Sequence, residues 1–222
     1  MLLLGIEEAG RGPVVGPMIM CGVLIEQDKE EKLREIGAKD SKLLTPKRRE
    51  ELAKKIKKII KDFKLVIIQP SEIDMAVSGE DGMNLNWLEA KKSAELINFF
   101  NPDKVILDCP SPNINAYVAF LRKYLKNKDI EIQAEHKAEK YPVVAAASIL
   151  AKVTRDEEVK KIEKITGMSI GSGYVSNPIC QKFLKENFDK FPEIFRKSWI
   201  SWKNHDKAKK QKKIFDFETN EL

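Results

Sequence analysis

The chain is poor in soft metal ligands and in cross-linking residues. Among its 222 residues are three cysteines and two histidines. Cys21, Cys109 and Cys180 are widely spread and form no C-x-x-C pair. That argues against a zinc site and a disulfide framework and favours a reducing, cytoplasmic setting. Long hydrophobic runs are also missing. Leu2-Leu3-Leu4 is too short for a membrane span, has no basic region before it and leads into acids, so neither a signal peptide nor a transmembrane segment is expected. No internal repeat stands out. Lys+Arg 40 against Asp+Glu 34 leaves a formal charge of +6, which suits nucleic acid but is weak evidence alone. With 42% hydrophobic residues, the length allows one sizeable domain, or one domain with an appendage.

What is present begins with Gly5-Ile6-Glu7-Glu8-Ala9-Gly10-Arg11-Gly12-Pro13. Two adjacent carboxylates close an apolar strand, residues 1–6, and a glycine-flanked arginine follows. Neighbouring strand residues point to opposite faces, so the two acids cannot both point one way from a regular strand; one could face a site while the other reaches round the strand end. Residues 10–17 read as a loop and 18–25 as a second, antiparallel strand. Residues 28–36 read as a short helix. Thr45 is an N-cap with Pro46 at the first helical position of a helix over residues 46–63, followed by a strand at 65–68. Helix 84–100, strand 105–107, helix 115–125, strand 130–132 and a long helix opening at Pro142 come next. Its Ala145-Ala146-Ala147 half must pack closely on the sheet. Strands in hairpin succession, then strands alternating with helices, predict an α/β fold: a mixed sheet with helices on its faces. Residues 179–188 and 192–202 read as a helical appendage, residues 203–213 as a basic solvated run and residues 214–222 as mobile.

Acids recur just past the ends of three of these strands: Glu7 and Glu8, Asp108 and Glu139. Strand ends of an open sheet gather on one edge. Taken singly, the acids fit ordinary roles as turn, capping or solvated charges. Together, carboxylates converging without lysine partners are tolerable when divalent cations fill the cluster, and hard oxygen ligands select Mg²⁺ or Mn²⁺. Two such ions, about 3.5–4 Å apart, are the device for in-line phosphodiester hydrolysis.

Several blocks, read in order, resemble archaeal-type ribonuclease HII. They are residues 5–16, Lys39-Asp40-Ser41-Lys42, Leu107-Asp108, Glu135-His136-Lys137-Ala138, residues 141–149, Gly171-Ser172-Gly173-Tyr174 and Arg196-Lys197-Ser198-Trp199. The resemblance implies a ribonuclease H-like catalytic domain over residues 1–170, a C-terminal helical substrate-binding part over 171–205 and a basic tail over 206–222. It implies metal-dependent cleavage of the RNA strand of RNA–DNA hybrids, including single ribonucleotides in duplex DNA, with 3′-hydroxyl and 5′-phosphate products. Glu7, Glu8, Asp108 and Glu139 are the expected metal-binding and catalytic acids. Gly10, Arg11, Gly12 and Tyr174 are expected to sense the 2′-hydroxyl and the neighbouring sugar. Lys42, Arg11 and Lys137 are candidate phosphate contacts, with Ser41 and Ser148 as hydroxyl donors. His136 is expected to be a structural hydrogen-bonder, and His205 has no assigned role.

The chain departs from the family pattern twice. Glu7 stands where the family has aspartate, and the turn carrying Glu139 is one residue shorter, with glutamate in place of aspartate. Both changes keep charge and move the carboxylate, and a longer acid could compensate for the shorter turn. They leave open a second reading, a hybrid-binding protein with weakened chemistry; a junction resolvase is disfavoured by the Gly-Arg-Gly and Gly-Ser-Gly-Tyr blocks. In the tail, Gln211, Ile214 and Phe217 resemble the peptide that archaeal replication proteins insert into the sliding clamp, though Glu218 replaces its second aromatic. No membrane partner is expected, and a monomer is the expected state.

Overall fold

The structure, a computed structural model, describes residues 1–38 and 44–218, with the backbone alone at residues 80, 209, 210 and 212–218. Leu2–Ala9 forms β1 and Met18–Glu26 forms β2, and both are almost wholly buried. They pair antiparallel, with Leu2 opposite Glu26 and Ala9 opposite Ile19. Asp62–Ile68 is β3, antiparallel to β2. Lys104–Asp108 (β4) and Glu131–Glu135 (β5) continue the sheet in parallel from β1, giving the order β3-β2-β1-β4-β5. Parallel neighbours need crossovers, which here are helical: Pro70–Val77 (α3) and Leu85–Phe100 (α4) precede β4, and Ile114–Lys123 (α5) precedes β5.

Glu30–Glu35 (α1), Pro46–Ile59 (α2) and Pro142–Thr166 (α6) cover the other face. The pleat divides the core accordingly. Leu3 and Ala9 of β1 join the α6 side, while Leu4 and Ile6 join the α4–α5 side. The small residues of α6 permit the close packing expected of them: a Cβ built on Gly5 would lie 2.5 Å from the carbonyl carbon of Val143. A third cluster unites Val14 and Val15 with Phe183, Leu184 and Phe195. It seats Pro178–Asn187 (α7) and the segment leading to Ile200–Glu218 (α8) against the loop between β1 and β2.

Several elements differ from the sequence reading. Helix α2 stops at Ile59, not at residue 63, and Phe63 belongs to β3. The β-branched pair Ile59-Ile60 ends the helix, and pairing with β2 claims the residues after it. Helix α3 was not anticipated; its eight residues, opened by Pro70, are too few for a clear period. Residues 192–194 make only a 3₁₀ turn, and the last helix begins at Ile200 and continues to Glu218. A solvated run with a mobile end was expected there. No glycine or proline interrupts that stretch, and lysine, alanine and glutamine favour helix.

Candidate active site

The last residues of β1 put the two glutamates on opposite faces, as the pleat requires. Their side chains still meet at the sheet edge. Parallel pairing sets Ile6 beside Leu107, so Asp108, the last residue of β4, ends level with them. One carboxylate oxygen each from Glu7, Glu8 and Asp108 all lie within 4.8 Å of one another. Glu139 sits outside that trio, on the short turn Ala138–Lys140 after β5. The turn is tied to the site because the Ala138 amide donates to Asp108 Oδ1 at 2.7 Å. All four acids line one cavity of about 600 Å³, together with Gly10, Arg11, Ser148 and Tyr174.

Electrostatics mark the edge as under-neutralised. Burial, then the charges of Glu8, Asp108 and Glu139, push the Glu7 carboxyl well above its ordinary value. The Glu8 amide donates to Glu7 Oε1 at 3.1 Å and opposes that rise. Glu7 Oε2 is buried without a hydrogen-bond partner. Burial and Asp108 raise Glu8 to about 7, against the pull of Arg11. An orphaned buried carboxylate oxygen beside two further acids is a donor set that a hard divalent cation fits.

The loop after β1 lies on the same cavity. Gly10 has φ +81° and a Cβ there would come 2.7 Å from Arg155 Nε, so only glycine is accommodated. Tyr174 packs against Gly12, where a Cβ would lie 3.1 Å from Tyr174 Cε1. Arg11 is half-buried: its Nε donates to Glu89 Oε1 at 2.9 Å and its Nη2 to Asn86 Oδ1 at 2.7 Å. Ser148 is buried in α6 facing the cavity. Lys137 is exposed on the turn after β5 with φ +57° and does not line the cavity. His136 is a structural hydrogen-bonder, its Nδ1 lying 2.9 Å from the Cys109 carbonyl oxygen. Ser41 and Lys42 lie outside the described residues. Cys21, Cys109 and Cys180 are free and buried.

A family model described as Ribonuclease HII matches residues 4–202. The chain belongs to the ribonuclease HII family. Ribonuclease HII from Pyrococcus furiosus is 43% identical over 219 residues, covering 96% of this chain and 95% of the relative. The crystal structure of ribonuclease H2 from Pyrococcus horikoshii superposes with a TM-score of 0.84 at 37% identity, covering 94% of this chain and 98% of that one. Ribonuclease HII in the PCNA:RNase HII complex from Archaeoglobus fulgidus gives 0.79 at 36% identity, over 91% and 94% of the two chains. The ribonuclease H-like fold and an endonuclease activity on the RNA of RNA–DNA hybrids follow from that membership.

Three site neighbours escaped the sequence reading. Glu89 looks like one more charge on a helix, yet it is 1% exposed and anchors Arg11. Burial and the charge of Glu8 raise it to about 8. Arg155 and Arg196 are buried beneath the glycine loop. Position within a charged stretch gave no sign of this for Arg155. Arg196 belongs to one of the family-like blocks, but nothing around it in sequence suggested a role.

Proposed function

We propose that the chain cuts RNA strands of RNA–DNA hybrids, and single ribonucleotides embedded in duplex DNA, at the acidic edge of its sheet, leaving 3′-hydroxyl and 5′-phosphate ends. The observation that carries this is the meeting of Glu7, Glu8 and Asp108 oxygens within 4.8 Å, with Glu7 Oε2 buried and unpartnered. Glu7, Glu8, Asp108 and Glu139 are the residues that would hold two Mg²⁺ or Mn²⁺ ions. Such cations, when bound, supply water activation and neutralisation of charge on the leaving oxygen.

The chain's own part is to bind and orient. Backbone amides of Gly10-Arg11-Gly12 approach the sugar closely enough to sense a 2′-hydroxyl. Tyr174, which packs on Gly12, offers a face for the deoxyribose just 3′ of the ribonucleotide. Arg11 keeps an open side toward phosphate while Glu89 and Asn86 fix its fork. Ser148 adds a hydroxyl within the cavity.

One observation favours the weaker-chemistry reading: Glu7 Oε1 is turned onto the Glu8 amide, which competes with a cation for that oxygen. A labelled duplex with one embedded ribonucleotide, incubated with Mg²⁺ or Mn²⁺, separates the two. Metal-dependent cutting at the ribonucleotide supports the endonuclease. Tight binding without cutting supports the junction binder. A protein that neither cuts nor binds refutes both.

We further propose that Gln211, Ile214 and Phe217 engage a sliding clamp. Support comes from the helical backbone through these residues and from the Archaeoglobus homologue in complex with PCNA. A one-turn helix places i and i+3 residues on one face, suited to an apolar groove. Titration of the labelled tail peptide with a clamp tests this, and no saturable binding refutes it. Among the described residues, no helix is long and apolar enough to cross a membrane. A monomer is proposed, to be checked by light scattering.

A further inference from the structure

The carbonyls of loop 10–16 are gripped from one side by the C-terminal segment. Arg196, 0% exposed, donates Nη2 to the Gly10 carbonyl at 2.6 Å, Nη1 to Arg11 at 2.7 Å and Nε to Gly16 at 3.0 Å. Arg155 Nη2 donates to the Val15 carbonyl at 2.7 Å. Trp199 Nε1 donates to Gly12 at 3.0 Å, while its ring lies 5.1 Å from the Arg196 guanidinium carbon. The backbone adds Arg196 N to Val14 O at 2.9 Å and Gly16 N to Ile194 O at 2.7 Å. Asp74 of α3 locks the segment in turn, accepting from the Lys197 and Ser198 amides at 2.8 and 2.9 Å.

Neither buried arginine forms a salt bridge among the described residues. Burial, with the nearby Arg155 charge, lowers Arg196 to about 9. Burying two cations with no counter-ion is costly unless their N–H groups are met, and here Arg196 is met by loop carbonyls.

That grip has a directional consequence. A trans peptide is planar, with its carbonyl and the next amide pointing opposite ways. Pinning the Gly10 and Arg11 carbonyls onto Arg196 therefore turns the Arg11 and Gly12 amides away from it. Among the described residues, no protein group accepts from either amide. Two unspent donors, rigidly aimed from a loop lining the acidic cavity, form a preorganised hydrogen-bonding site.

We infer that Arg196, assisted by Trp199, is the positioning residue for discrimination between ribose and deoxyribose, because it aims the Arg11 and Gly12 amides. This rests on the reading of that loop as the 2′-hydroxyl sensor. Discrimination then depends on a side chain that never meets the substrate, contributed from the far end of the sequence.

The test is fluorescence anisotropy with two labelled duplexes, one carrying a single ribonucleotide and one all DNA. Ca²⁺ replaces Mg²⁺ and Mn²⁺, and gels verify that the duplexes stay intact. The parent is expected to prefer the ribonucleotide duplex. Arg196→Lys keeps the charge but replaces a three-armed fork with one ammonium. It is expected to cut the preference by about five- to tenfold, in line with one hydrogen bond's worth of misaligned donors, with all-DNA affinity unchanged. Trp199→Phe removes only the Gly12 bond and is expected to give a smaller loss in the same ratio. Thermal melts report folding, and if Arg196→Lys does not fold, Trp199→Phe decides. A folded variant that keeps the full ratio, or weakens both duplexes equally, overturns the inference. A parent with no preference instead overturns the reading of the loop as a sensor.

Discussion

Arg11 Nε lies 2.9 Å from Glu89 Oε1, joining the loop after β1 to helix α4. The pair is lopsided: the arginine side chain is 38% exposed and the glutamate 1%. The buried partner is fixed by packing, so it fixes the open one. Asn86, one turn earlier on the same helix, holds a second arm of the guanidinium. The same helix therefore carries the anchor of the arginine that leads the loop and a carboxylate that feels Glu8.

Glu89→Gln keeps an acceptor for Arg11 Nε, and Glu89→Ala removes it. Urea unfolding should show the alanine variant losing about 1–3 kcal/mol and the glutamine variant markedly less. Equal losses from both would mean that Glu89 acts through packing alone, without holding Arg11.

Stability of the metal-free protein should fall as pH rises. Glu7 is raised well above 4.5, Glu8 to about 7 and Glu89 to about 8. Between pH 4.5 and about 8 the folded protein keeps protons that the unfolded chain has released. Their contribution is complete below the unfolded value and is lost as pH climbs through the folded ones. Melting in EDTA should thus be higher at about pH 5.5 than at about pH 8, and Mg²⁺ should narrow the gap by compensating the carboxylates. Glu8→Gln should shrink the metal-free gap; an unchanged gap in that variant would show that the slope arises elsewhere.

Glu7→Asp supplies the acid that the resemblance to the family leads one to expect near the end of β1. Its carboxylate sits one methylene closer to the β1 backbone than that of Glu7, whose Oε1 accepts from the Glu8 amide, and so meets the cluster from a different position. With Mg²⁺, cleavage at an embedded ribonucleotide should rise by roughly tenfold to a hundredfold, the cost of about an ångström of misplacement. A variant no faster than the parent sinks this account of Glu7.

Gly5→Ala tests the contact that lets α6 lie on β1. Its new methyl would sit 2.5 Å from backbone atoms of Val143, which cannot swing aside as a flexible side chain could. A loss of about 3 kcal/mol is expected, read as a melting temperature lower by roughly 6–12 °C. A shift under a degree or two would show that helix and strand can separate at little cost.

Much of this was legible in local chemistry. Thr45 caps α2 as expected, accepting from the Arg48 amide at 3.3 Å, because capping involves only neighbours in sequence. The burial of β1 on both faces and the close packing of α6 follow from an apolar run and from small side chains alone. The acids Glu7, Glu8 and Asp108 were legible as a set because strand ends of such a sheet share an edge, and the structure brings them together there. Glu139 comes to the same cavity, but outside their trio.

Residue type and spacing over a few positions set the strand–helix order, the caps and the charge gathered at the sheet edge. Only the closed fold settles that Phe63 leaves the helix for β3, that Glu89 is buried against Arg11, and that Arg196 reaches back to the Gly10 carbonyl across 186 positions. The reason is physical. Lys, Arg and Glu carry no local mark of the partner they will meet, and whether such a charge is solvated or buried depends on which distant surface closes over it.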